Sequence, residues 1–122
     1  MNRPGLVIPL TLVVCALGAL GQTLLKLSLS RLPAGQAALA TLACLLRDPA
    51  FWAGGVVVAM GTSTWLYVLH KAQITYAMPF LSFTFVFVMI TSSLILHEPQ
   101  PLGRIAGTLA IVIGMFLVGL SR

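Results

Sequence analysis

Acidic residues are almost missing from this 122-residue sequence: there are two, Asp48 and Glu98, against seven lysines and arginines. Neither acid lies inside an apolar run. Proton-driven export of a cation needs a carboxylate in the bilayer interior that can trade a proton for cargo. No group of that kind is present. The two cysteines, Cys15 and Cys44, sit within apolar stretches and read as small hydrophobes rather than as a disulfide or a metal pair. The sequence has no nucleophile elbow, no phosphate-cradling glycine loop and no metal-ligand cluster. No enzyme activity, cofactor or metal is expected.

Apolar residues, by contrast, make up 59% of the chain and charged residues 7%. Mean hydropathy is +1.05. A water-soluble core of this size cannot hide so much apolar surface, so the expected solvent is lipid. The net charge of +5 does not point to nucleic acid, because the bases show neither a helix face nor interleaved aromatics. They sit at the ends of apolar segments, where headgroups lie. The length suits one domain.

A bilayer-spanning helix needs about 20 mostly apolar residues. Four segments qualify, at about 6–25, 51–69, 76–96 and 102–120. The expected fold is therefore an all-α membrane protein with four transmembrane helices. The first run is too long for a secretory signal core and lacks a cleavage motif, so a retained span is expected. Asp48-Pro49 announces the second span, with Asp as cap and Pro in the first helical position. The stretch 35–47 is too short to span; Leu39, Leu42 and Leu46 recur at helical spacing and suggest a short helix lying at the interface. Reading it as the start of a tilted second span would bury Arg47-Asp48-Pro49 in lipid.

Short links make neighbouring spans antiparallel. The side of the N-terminus then carries Arg3, Lys71 and Arg122, and the opposite side Lys26, Arg31, Arg47 and Arg104. Three bases against four set no orientation. Lys26 and Glu98 fall on the same membrane face, so an ion pair between them is geometrically open.

Gly18, Gln22 and Lys26 form one column on the first span. Two readings stand. Lys26 is an interfacial lysine above a packing glycine, or it is an anion site at the mouth of a cleft, with Gln22 deeper in. His70 and His97, at span ends, read as interfacial residues. The hydroxyl residues of the second and third spans can satisfy themselves on backbone carbonyls or line a weakly polar groove. Pro79 frees a carbonyl in the third span and can kink it. Phe80, Phe83 and Phe87 read as packing or lipid contact rather than a cation cage. Gly103 and Gly107 form a GxxxG pattern, followed by Gly114, which reads as helix packing and a possible dimer face.

These residues resemble a known family. GQTLLK, RDPAFW, YAMPFLSFTFVFV and HEPQPLGRIAG, in that order, look like one half of an EamA-type drug/metabolite transporter. The four-span length resembles the small multidrug resistance proteins, and the motif set resembles the ArnE/ArnF type of flippase subunit. The resemblance implies transport of undecaprenyl-phosphate-linked aminoarabinose across the bacterial inner membrane for lipid A modification. Small multidrug exporters carry an essential glutamate in the first span; its place here falls at Gly18. The flippase branch lacks that acid too. The expected partners are a lipid-linked anionic substrate, membrane lipids, and a second subunit in a homodimer, antiparallel or not, or in a heterodimer with a similar small protein. A multidrug or metabolite exporter and a non-transporting partner subunit are the alternatives. Gln22, Lys26, Arg47 and Arg104 are candidate substrate contacts, as are Tyr76, Ser82 and Glu98. Gly18, Gly21, Pro79, Gly103, Gly107 and Gly114 are candidate packing positions.

Overall fold

The computed structural model describes residues 4–121, all helices and connections. Arg3 and Arg122, counted above for orientation, lie outside the described residues. Six helices follow in order: α1 (Pro4–Ser30), α2 (Ala38–Arg47), α3 (Pro49–Lys71), α4 (Ile74–Phe80), α5 (Phe83–Ile95) and α6 (Leu102–Leu120). Four units are long and apolar enough to cross a bilayer, with α4 and α5 counting as one over Ile74–Ile95. Large apolar side chains such as Leu66, Leu94 and Leu117 face outward, as lipid contact requires.

The first span is longer than the apolar run suggests. Ser28 is fully buried and donates to Asp48 Oδ2 at 2.8 Å, which keeps the last turn of α1 in place. The helix ends through tight bonds from the Arg31 and Leu32 amides to the Ser28 and Leu29 carbonyls (3.3 and 3.2 Å). Leu32 precedes Pro33, which disfavours further helix. Gly35 then takes a left-handed turn (φ 86°), so α2 begins at Ala38 rather than at 35. No residue of α2 is buried, as suits a helix resting at an interface.

Asp48 separates α2 from α3 in an extended conformation (φ −84°, ψ 122°), and its Oδ1 accepts from the Ala50 amide at 2.9 Å. That satisfies an otherwise orphaned donor of the α3 N-terminus. The Ser28 hydroxyl, the Ala50 amide and the Arg31 guanidinium, 3.6 Å away, hold the Asp48 carboxyl below its usual range.

α1 is the central helix. On one side it crosses α3 at very close range. A Cβ on Gly21 would lie 2.6 Å from Val58 Cγ2 and 3.1 Å from the Gly54 carbonyl oxygen, and one on Gly54 would lie 3.0 Å from the Gly21 carbonyl oxygen. On its other side α1 meets α4 and α5. Near the start of α1, Val7, Val68 and Ala77 form a buried cluster with Leu10, Trp65 and Tyr76 around it.

The third span is broken, not continuous. Pro79 has no amide proton to offer, and the chain tightens into three-residue turns from Leu81 to Met78 and from Ser82 to Pro79, both 3.0 Å. Cys15, buried in α1, places its thiol 3.5 Å from the Phe80 carbonyl at the break.

α6 is lightly held, by the Phe83–Phe116 edge contact (6.3 Å between centroids) and by Phe80 against Gly119. A Cβ at Gly103, Gly107 or Gly114 would meet nothing within 4 Å. Within the chain, the close packing expected of that pattern is made by Gly21 and Gly54 instead.

Candidate functional site: a polar groove at the end of the first span

A groove of about 340 Å³ opens between α1, α5 and α6 at the Lys26 end of the spans. Its wall combines apolar residues, among them Phe85, Val88 and Leu96, with Gln22, Lys26, Ser92, Glu98, Gln100 and Arg104.

Lys26 Nζ forms a salt bridge with Glu98 Oε1. Neither side chain is buried, with 56% and 30% of their surface exposed. An exposed pair of this kind contributes about 0–1 kcal/mol, too little to act as a structural staple. The backbone presents Glu98. At the end of α5, His97 takes a left-handed conformation (φ 53°), rare outside glycine, and the chain turns back so that the Glu98 amide bonds the Ser92 carbonyl at 3.3 Å.

Gln100 links the other polar groups. Its amide donates to Ser92 Oγ at 3.1 Å and to the Glu98 carbonyl at 3.4 Å, while its side-chain oxygen accepts from Arg104 Nη1 at 3.5 Å. Among the described residues no carboxylate pairs with Arg104. The mouth therefore carries two cations and one anion.

Beneath the mouth, the Thr23 and Thr91 hydroxyls meet at 2.8 Å and tie α1 to α5. Gln22 makes no side-chain hydrogen bond among the described residues, and it lines a second cavity of about 200 Å³ as well. That cavity lies deeper, bordered by Gly18, Gly61, Thr62, Trp65 and Thr84. One amide thus faces both the mouth and the membrane interior. Gly18 leaves open space on its own Cβ side, and the Gly61 Cβ side faces Leu17 at 3.4 Å.

Of the expected contacts, the groove gathers Gln22, Lys26, Glu98 and Arg104. It does not gather the other three. Tyr76 packs on Phe80 (5.2 Å between centroids) beside the Val7 cluster. Val7 and Lys26 are 19 residues apart on α1, about 28 Å along the axis. Ser82 lies at the helix break and lines neither cavity, and Arg47 ends α2 on an exposed face. Gln100 and Thr108 belong to the groove and were not singled out from sequence. The signal for Gln100 was its place between two prolines, three residues before a helical Gly-Arg, where a polar side chain must turn back on the chain.

This arrangement defines a class: a small helical membrane protein with a charged groove that leads inward past neutral polar groups. The EamA-like transporter family model matches residues 49–120, and the chain belongs to that family. Relatives named "Probable 4-amino-4-deoxy-L-arabinose-phosphoundecaprenol flippase subunit ArnE" are similar to it. The one from Pseudomonas paraeruginosa is 32% identical over 63% of this chain and 67% of its own length. The Enterobacter sp. (strain 638) relative is 34% identical over 56% and 65%. That of Aeromonas salmonicida is 37% identical over 56% and 61%. The chain spans about two thirds of the length of these relatives or somewhat less. No solved structure matches it.

Proposed function

We propose that this protein is a flippase subunit that carries a polyprenyl-phosphate-linked amino sugar, of the undecaprenyl-phosphate aminoarabinose kind, across the bacterial inner membrane. The observation that carries the reading is the groove mouth, where two cations and one anion line a cavity between α1, α5 and α6. Moving an ionised phosphate unaided through hydrocarbon costs on the order of tens of kcal/mol. A groove open along its side lets the polyprenyl tail stay in lipid while the head passes polar groups. Lys26 and Arg104 receive the phosphate at the mouth. Gln22 hands the head group on toward Thr62 and Thr84 in the deeper cavity. Beyond Glu98 at the mouth, no acid stands in that path to repel the phosphate.

The four spans act as one transmembrane unit, but they enclose too little to complete a path. The thin packing of α6 and the open Gly103 and Gly107 face leave room for a second subunit, another copy or a similar small chain. The word "subunit" in the relatives' names favours such an assembly. The near-even distribution of basic residues is compatible with oppositely oriented subunits.

The test is purification in mild detergent followed by mass spectrometry of the retained lipid. Polyprenyl-phosphate species are expected to co-purify and to be lost in a Lys26→Gln/Arg104→Gln variant. Protein that neither retains nor binds such lipids would overturn the proposal.

A further inference from the structure

The pairing at the mouth has a chemical consequence. Lys26 is occupied by Glu98, whereas among the described residues Arg104 reaches only the neutral Gln100. A phosphodiester alone would suit Arg104, but if it also drew Lys26 it would leave Glu98 bare beside a second negative charge. Three features make the pair exchangeable without disturbing the fold. It is exposed, so it holds together by no more than about fivefold in equilibrium terms. Glu98 is positioned by backbone, through the left-handed His97 and the bonds to Ser92 and Gln100, and stays in place when Lys26 leaves. Lys26 ends a long, flexible stem and is more than half exposed, so it can swing toward Arg104.

We propose that Glu98 is the specificity-determining residue for a cationic group on the head of the lipid substrate. On binding, Lys26 leaves Glu98 and shares the phosphate with Arg104, while Glu98 accepts the ammonium of the sugar. The resting ion pair occupies the same two positions that a zwitterionic head fills, and it excludes anions that carry no cation. The occupant is thus an amino-sugar phosphodiester on a polyprenyl chain. A neutral-sugar phosphate or a bare polyprenyl phosphate strands Glu98 and binds more weakly. This inference rests on the head-group reading of the groove given above.

The experiment measures binding of three probes to the full-length protein in nanodiscs at fixed salt: polyprenyl phosphate, the same lipid bearing 4-amino-4-deoxyarabinose, and that glycolipid with its amine N-acetylated. Wild type is expected to prefer the free amine over the N-acetyl form by about tenfold or more, the scale of one charge-assisted contact. Glu98→Gln should bring the two within about twofold and improve binding of bare polyprenyl phosphate, because Lys26 is released. The double variant Lys26→Glu/Glu98→Lys restores an ion pair. If the pair were only structural, it would regain wild-type binding; it is expected not to recover the amine preference. A wild type that binds all three probes equally, or an amine preference that survives Glu98→Gln, overturns this inference and leaves the flippase reading standing. Equal competition by phosphatidylethanolamine overturns the assignment to an amino sugar. Binding of none of the probes to wild type overturns the flippase reading itself.

Discussion

Gly21 of α1 and Gly54 of α3 lie backbone to backbone: a Cβ on either one would come within about 3 Å of the other's carbonyl oxygen (3.1 and 3.0 Å). In lipid, where no hydrophobic force drives helices together, such close approach is a main source of association. It fixes α1 against α3, so that the other face of α1 presents Lys26 to the groove.

Gly21→Ala should therefore destabilise the fold by about 1–3 kcal/mol, the cost of overpacking. The new methyl group would lie 2.6 Å from Val58 Cγ2 and 3.1 Å from the Gly54 carbonyl oxygen, so side chain or backbone at the crossing must shift. Gly107→Ala, which meets nothing within the chain, should leave monomer stability unchanged. Thermal unfolding in detergent, read by circular dichroism, compares the two. Equal losses would contradict the assignment of tight packing to the α1–α3 crossing.

The connection around Asp48 should weaken in acid. Its partners hold the folded carboxyl below the ordinary value of about 3.9. A depressed folded pKa means that the stabilisation is fully present above that ordinary value. It is lost as pH falls below about 4 and through the folded pKa. Asp48→Asn should remove this component, so its unfolding temperature should change less than that of wild type across that window. Parallel acid profiles for the two proteins would refute the assignment.

At the mouth, Lys26→Gln should lower affinity for the lipid head group by roughly tenfold to hundredfold, since a charge-assisted contact is worth about 1.5–3 kcal/mol. Lys26→Arg should recover part of it, because charge is kept but a planar fork replaces a point charge. Arg104→Gln should also weaken binding. Wild-type affinity in Lys26→Gln, measured on purified protein at fixed salt, would leave Lys26 as an interfacial lysine only.

Proton-driven export of quaternary ammonium compounds should be absent. No acid lies inside a span, and both carboxylates lie at span ends, engaged with Lys26 and with Ser28 and Arg31. Expression in a drug-sensitive host should give no resistance that collapses with the proton gradient.

The sequence by itself determined what depends on position along one helix. Runs of about 20 apolar residues set the four spans. Asp48-Pro49 set the entry to α3, because a cap and a missing amide act within one turn. That Lys26 and Glu98 share a membrane face followed from the number of crossings, and the structure joins them. What depends on rotation about a helix axis, or on the choice of neighbour, was decided by the tertiary structure. Any glycine pattern permits a close crossing, but only the meeting of α1 with α3 uses one, at Gly21 and Gly54 rather than at Gly103 and Gly107. Pro79 signalled a weakness in the third span, yet the break at Leu81 and Ser82 arises where the chain tightens against α1. Tyr76 and Lys26 both looked like groove residues, but Tyr76 packs beside Val7, which lies about 28 Å from Lys26 along α1. Gln100 and Thr108 entered the groove because the turn at His97 folds α6 back beside α5, a relation that no periodicity within either helix encodes.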